Sequence, residues 1–246
     1  MQTPPSAETP NNVVSLDVIA EILAHLPEVA VVHVIEFPMS GLLQDRFEPT
    51  PEESLQISQA LALRDQLGMP FWDSLLLTFV SRGGFSDRLL AMIRAHHNQN
   101  RPVRLPADSR LLKQHLDQRQ GANIAFSSKV ELNDGCERHI PMLDFHCPNG
   151  IENLALAKSV LRQLGMTSGY LLESGDSYHF YGRSLLDRDD LVRFLGLALH
   201  YSPIIDRAWI GHQLRELACA LRITPKHGVI PQLVHALHSR IGETRQ

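Results

Sequence analysis

Short β-branched segments and amphipathic helical segments follow one another in a definite order in the second half of the chain, and this order limits the folds open to it. We predict strands from the composition of GANIAFSSKVEL (121–132) and ERHIPMLDFHC (137–147). We predict helices at NGIENLALAKSVLRQLG (149–165) and LDRDDLVRFLGLALHY (186–201), with a hairpin between them at SGYLLES and SYHFYG. A further helix is predicted from about Pro231. The chain is therefore expected to be an α+β protein.

A short apolar segment that ends at Asp206 completes the order strand–helix–strand–strand–helix–strand. This is the order of a split βαβ, or RRM-like, unit. We therefore predict an α+β fold with an RRM-like split βαβ core in residues 119–246.

The first half of the chain is predicted to be mostly helical and to pack on this core. One of its helices has clear end signals, because Thr50 and Glu53 can form a capping box and Gly68 can end the helix. The predicted elements are helices at 15–26, at 50–68 and on either side of Gly83-Gly84, and a strand at 28–37.

The domain boundaries follow from changes in composition. Residues 1–14 are polar and rich in proline, so we predict a disordered tail there, followed by an N-terminal part over residues 15–118. The segment RPVRLPADSR is a weak linker signal. One composite domain is therefore an equal alternative to two.

Composition and charge restrict the class of function. The net charge of -4 argues against strong non-specific DNA binding by the whole surface and leaves room for a local basic groove. Three scattered cysteines without a CxxC pair do not support a disulfide framework or a structural zinc site. The N-terminus lacks the plan of a signal peptide, and no apolar run reaches the roughly 18 residues that span a bilayer. We expect a cytoplasmic protein.

Asp144 and His146 stand two residues apart at the end of an apolar strand in PMLDFHCP. Side chains alternate along a strand, so both are expected on one face, with Phe145 on the other. A carboxylate and an imidazole on one face can share a divalent cation. The alternative is structural, because an aspartate at a strand end is often a helix cap.

The hairpin turn is the second candidate site. Gly175 allows a tight turn, while the hydroxyls of Ser174 and Ser177 and the backbone N–H groups offer contacts to an anion. His179 follows just inside the second strand. A single histidine in a hairpin also has a purely structural interpretation.

The third candidate site lies in SPIIDRAWIGHQL and LRITPKHG. Asp206 ends a short apolar segment, and Arg222 is followed four residues later by Lys226. An arginine and a nearby lysine suit a triphosphate, the first as a planar fork and the second as a point charge. A solvated loop is the alternative for Lys226.

The order and spacing of these motifs resemble those of the archaeo-eukaryotic primase, or primase-polymerase, superfamily. His179 stands 35 residues after Asp144 and 27 residues before Asp206. The family has D-x-D or D-x-E at a strand end, then a helix, an S/G-x-H hairpin and an apolar-Asp motif. Here MLDFH, ESGDSYHFYG, IIDRAWIGH and LRITPK occur in that order, so the resemblance covers about residues 137–228.

The resemblance implies template-directed nucleotide addition on an RRM-like core. By position, it makes Asp144 and Asp206 ligands of a divalent metal, Mg or Mn. Three groups contact the phosphates of a nucleoside triphosphate by the same argument, namely His179 with Ser177, Arg222 and Lys226. Nucleic acid is the expected second substrate, in DNA replication or repair, and a protein partner is a further expectation.

His146 departs from the family pattern, because it stands where the family has a second carboxylate. An Asp/His pair carries less negative charge and favours softer metals than two carboxylates do. The catalytic set is then Asp144, His146 and Asp206. Three functions stay open: an active nucleotidyltransferase, an inactive primase-like module that binds nucleotide or nucleic acid, and a metal-dependent hydrolase built on this set with His179.

Overall fold

The computed structural model describes residues 13–37, 49–69, 71–80, 102–119, 121–225 and 228–237. Its helices are α1 (Ser15–His25), α2 (Pro51–Leu67), α3 (Phe71–Val80), α4 (Ser109–Gln118), α5 (Ile151–Gln163), α6 (Arg188–Leu199) and α7 (Arg207–Glu216). Its strands are β1 (Val29–Phe37), β2 (Val103–Pro106), β3 (Asn123–Leu132), β4 (Glu137–His139), β5 (Met142–Asp144), β6 (Gly169–Glu173), β7 (Tyr178–Gly182), β8 (Ala220–Arg222) and β9 (Gln232–Leu237).

The strands form two antiparallel sheets. The first has the order β2-β1-β3-β4, and β8 pairs with β3 beside β4. The second has the order β5-β7-β6-β9. The mixture of helices and antiparallel sheets confirms the predicted α+β fold, whereas the RRM-like arrangement stays a prediction.

Strands from both halves of the sequence meet in the first sheet. β1 pairs with β3 from Val29 opposite Leu132 to Phe37 opposite Asn123, and β2 covers the other side of β1. The predicted boundary near residue 118 therefore falls between elements of one sheet. One buried core includes the apolar face of α1 together with side chains from both sheets and from α5 and α6.

Helices α2 and α3 of the N-terminal part pack against each other, and Ile57, Ala60 and Leu75 are buried. The predicted capping box of α2 is confirmed, since Thr50 and Glu53 bond each other's backbone N–H groups, and Gly68 ends the helix with a φ of 63°. The helix predicted after Gly84 lies outside the described residues.

Four sequence predictions differ from the fold. The strand expected to end at Asp206 is absent from the described structure, where Ile205 forms only an isolated bridge. The segment 137–147 does not form one strand but divides into β4 and β5, which belong to different sheets. The helix predicted from Pro231 is wrong over the described residues: β9 occupies 232–237 and pairs with β6. The weak linker RPVRLPADSR contributes strand β2 and the start of α4. In the described parts of the chain, no helix has the length and hydropathy needed to cross a membrane.

Candidate active site

Asp144 and His179 are partners across two strands of the second sheet. β5 and β7 are antiparallel, with Asp144 directly opposite His179 and Met142 opposite Tyr181. The Nε2 atom of His179 lies 3.6 Å from Oδ1 of Asp144. The His179 side chain is buried, while that of Asp144 keeps 27% of its surface exposed. The carboxylate is therefore accessible to a ligand, and the imidazole lies behind it.

Asp206 lies on the backbone segment next to Asp144. Its N–H donates to the carbonyl oxygen of Asp144 at 3.0 Å, and Ile205 forms an isolated antiparallel bridge with Phe145. The side chain of Asp206 caps α7, because Oδ1 accepts the N–H of Trp209 at 3.0 Å. That bond does not use Oδ2, so capping and ligand binding by this carboxylate are compatible. Two carboxylates 62 positions apart in the sequence thus start from adjacent backbone segments.

His146 follows the same edge of the sheet and is exposed to solvent. Its N–H donates to the carbonyl of Ile204 at 2.8 Å, which continues the contact between the two segments. Phe145, between Asp144 and His146, is 1% exposed, in agreement with the predicted alternation of faces.

The donor atoms at this edge of the sheet determine which metal ion the residues could hold. Within the described ranges no three His, Cys, Asp or Glu side chains are grouped so as to hold an ion. Mg²⁺ does not need such a cage, because it is commonly held by one or two carboxylates and completed by water and substrate phosphates. Asp144 and Asp206 fit that type of site. A hydrolase centre made of several protein ligands gains no support from this part of the chain.

Every carbonyl of the hairpin turn accepts a hydrogen bond. The N–H of Ser174 donates to Ser177 and closes the turn at 2.8 Å. The carbonyl of Ser174 accepts from the guanidinium of Arg222. The carbonyls of Gly175 and Asp176 accept from the side chain and the backbone N–H of Asn149. Four turn carbonyls are thus held by the protein itself.

Apart from that of Ser174, the backbone N–H groups of the same turn, unlike its carbonyls, have no hydrogen-bond partner among the described residues. Those of Gly175, Asp176 and Ser177 donate to no other residue that the structure describes. Gly175 has a φ of 125°, a conformation that glycine adopts without steric cost. Successive backbone N–H groups in a turn can bind an anion, so this turn is a candidate phosphate site.

Arg222 joins the two sheets at this turn. It stands opposite Ala125 in the first sheet, and its guanidinium reaches the carbonyl of Ser174 in the second. The same group also donates to the carbonyls of Thr224 and Val229. Burial lowers the pKa of Arg222, and the negative charge of Asp144 opposes that shift. The guanidinium therefore attaches the turn of the second sheet to strand β8 of the first.

Two residues of the site were not found from the sequence. Asn149 follows the Asp144 strand and contacts the turn, and nothing in CPNG indicates that contact. Tyr181 lies two positions after His179, so strand alternation places it on the same face. It is fully buried, its hydroxyl bonds to no described residue, and burial raises its pKa. Lys226 lies outside the described residues.

The backbone pairing brings together the motifs that contain Asp144, His179 and Asp206. One comparison with known proteins concerns the same segment. The model of a family described as archaeo-eukaryotic primase 1D-like (AEP-like) matches residues 103–235, which is more than half of the 246-residue chain. No curated protein and no solved structure matches the chain. The matched segment contains Asp144, His179, Asp206 and Arg222.

Proposed function

The chain belongs to the archaeo-eukaryotic primase-like family, and from that premise we propose that it is a nucleotidyltransferase that adds nucleotides to a nucleic-acid strand. The observation that most supports the proposal is that Asp144 lies next to both His179 and Asp206. Asp144 faces His179 across two strands and accepts a backbone hydrogen bond from Asp206. The family is primase-like, and its members generally use divalent metal ions.

The reaction is the displacement of pyrophosphate from a nucleoside triphosphate. The 3′-oxygen of the growing strand forms a bond to the α-phosphorus, the bond from that phosphorus to the bridging oxygen breaks, and the hydroxyl proton passes to solvent. Such transfers depend mainly on positioning and on neutralising the charge of the phosphates. A divalent metal, Mg or Mn, supplies Lewis-acid stabilisation of that charge when it is bound.

The residues of the chain divide these tasks. Asp144 and Asp206 hold the cation, with His146 as the third candidate ligand. The N–H groups of the turn and the hydroxyl of Ser177 bind the phosphates, next to His179. Arg222 keeps the turn in place and adds positive charge. We also assign Lys226 to the phosphates, on the ground of the family resemblance.

The triphosphate and the nucleic acid are the proposed partners, and replication or repair of DNA is the proposed setting. A protein partner is part of the same proposal. Three cysteines without a disulfide among them support an assignment to the cytoplasm, because reducing compartments keep thiols free.

An inactive module that binds nucleotide or nucleic acid is the second candidate. It is favoured by His146, since an exposed imidazole replaces the second carboxylate of the family motif. The two functions predict the same binding but different chemistry.

Primer extension with labelled nucleotides tests the choice. The active enzyme incorporates nucleotide with Mg²⁺ or Mn²⁺, and Asp144→Asn abolishes incorporation. Asp187→Asn is the matched control, because Asp187 is an exposed carboxylate that caps α6 as Asp206 caps α7. Nucleotide binding without incorporation under either metal identifies the inactive module. A wild-type protein that neither binds nor incorporates nucleotide contradicts the proposed function.

A further inference from the structure

Asn149 connects the loop after the Asp144 strand to the hairpin turn. Its side-chain Nδ2 donates to the carbonyl of Gly175, and its backbone N–H donates to the carbonyl of Asp176 at 3.2 Å. The contact spans residues 26 positions apart in the sequence. A second contact at the following residue strengthens this connection: the hydroxyl of Tyr178 donates to the carbonyl of Gly150 and accepts from its N–H.

Because the peptide group is planar, a contact that fixes a turn carbonyl also fixes the direction of the next N–H group. In a trans peptide, the N–H of one residue points opposite to the carbonyl of the residue before it. The carbonyl of Gly175 is held towards Asn149, so the N–H of Asp176 points away from Asn149. The carbonyl of Asp176 is held in the same way, which orients the N–H of Ser177.

We propose that Asn149 is a positioning residue of the nucleotide site, which directs the N–H groups of Asp176 and Ser177 towards the phosphates by holding the turn carbonyls. This inference rests on the proposed function, because it assigns the phosphates to those N–H groups. Asn149 does not touch the reacting atoms.

The same contact ties the two halves of the site together. Asn149 lies five residues after Asp144 in the chain, so the loop that leaves the metal-binding strand also sets the turn. Arg222 holds the carbonyl of Ser174 from the other sheet. The turn is therefore held by two side chains from different parts of the fold, and loss of either changes the direction of its N–H groups.

The test measures phosphate binding in Asn149→Ala and Asn149→Asp. Aspartate keeps the shape of the side chain and loses the donor to Gly175. Asn153→Ala is the matched control, because Asn153 also donates Nδ2 to a backbone carbonyl, that of Pro148 at 2.8 Å. Calorimetric titrations use ATP and inorganic tripolyphosphate, each with Mg²⁺. A second measurement follows the turn amides by ¹H–¹⁵N correlation spectra of the unliganded proteins.

Both Asn149 variants are expected to weaken binding of ATP and of tripolyphosphate by about threefold to tenfold, which is the effect of one hydrogen bond. They are expected to shift the amide signals of Asp176 and Ser177, whereas Asn153→Ala does neither. If the Asn149 variants bind ATP and tripolyphosphate as tightly as the wild type does, the positioning role is wrong and the proposed function is unaffected. Unshifted turn amides overturn it even if affinity falls. A wild-type protein that binds neither ligand overturns the proposed function, and the spectra still show whether Asn149 holds the turn.

Discussion

Tyr170 and Tyr181 are cross-strand partners in the second sheet, yet only one of the two hydroxyls has a hydrogen-bond partner among the described residues. The hydroxyl of Tyr170 donates to Glu21 of α1, and that of Tyr181 is buried without such a bond. Both side chains are 2% exposed or less. The pair contrasts a hydroxyl that has a hydrogen-bond partner with one that has none among the described residues.

Replacement of each tyrosine by phenylalanine is expected to have opposite effects on stability. Tyr181→Phe removes an unsatisfied polar group, so the free energy of unfolding is expected to rise by about 1 kcal/mol. Tyr170→Phe removes the bond to Glu21 and is expected to lower it by about 1 kcal/mol. Urea denaturation measures both. A loss of stability in Tyr181→Phe equal to that in Tyr170→Phe would show that the Tyr181 hydroxyl has a partner.

Arg222→Lys tests whether geometry or charge matters at the hairpin. Lysine keeps the positive charge but lacks the planar fork that reaches the carbonyls of Ser174 and Thr224. We expect a loss of about 1–3 kcal/mol in the free energy of unfolding, together with weaker ATP binding.

Arg183→Lys is the control for this substitution. Its guanidinium lies 5.7 Å from the centre of the Tyr170 ring, a cation–π contact that lysine can also make. Equal behaviour of the two variants would mean that Arg222 acts only through its charge.

His146→Asp restores the second carboxylate of the family motif. His146 is exposed, so the fold is expected to tolerate the change. A unit negative charge about 4 Å from a cation contributes about 1–4 kcal/mol, depending on the local dielectric. We therefore expect Mg²⁺ to bind about tenfold or more tightly, as measured by calorimetry, and incorporation with Mg²⁺ to increase. His146→Asn is the neutral control, and an Asp variant no better than the Asn variant would place His146 outside the metal site.

The buried His139 makes stability depend on pH. Burial lowers the pKa of its imidazole below the ordinary 6.5, although Glu137, with Oε1 3.6 Å from Nε2, opposes the shift. Asp187 also raises this pKa, and Lys129 and Arg138 lower it. As the pH falls below about 6.5, the unfolded chain binds a proton that the folded chain does not, so stability decreases.

Denaturation at several pH values between about 7 and 5 measures this effect. The slope of unfolding free energy against pH is expected to be smaller in His139→Gln than in the wild type, whatever the stability of the variant at pH 7. An unchanged slope would show that His139 does not contribute.

Local chemistry explains which parts of the fold were predictable. The ends of α2 were predicted from Thr50, Glu53 and Gly68, because a capping box and a glycine stop act within one helical turn. Strand β9 was predicted as a helix, because the apolar residues of QLVHAL fit the spacing of a helix as well as that of a strand. Its pairing with β6 makes it a strand. Strand β2 was missed because it exists only through pairing with β1.

The candidate site divides in the same way. Asp144, His179 and Asp206 were predicted from their motifs, and the structure places the three close together through backbone pairing. The contacts of Asn149 and Arg222 with the turn were not predictable, because they depend on how a loop and a second sheet pack against the hairpin. No pattern within a short segment encodes that packing.

The rate of nucleotide incorporation by Asp206→Asn tests the central claim most directly. Asparagine caps a helix about as well as aspartate, so the bond to Trp209 is kept and the free energy of unfolding is expected to change by less than about 0.5 kcal/mol. Loss of the charge removes metal stabilisation worth several kcal/mol, so the Mg²⁺- or Mn²⁺-dependent rate is expected to fall at least about a hundredfold. Asp187→Ala is the converse control, with a weaker cap on α6 and an unchanged rate. An Asp206→Asn variant that incorporates nucleotide at the wild-type rate would contradict the account.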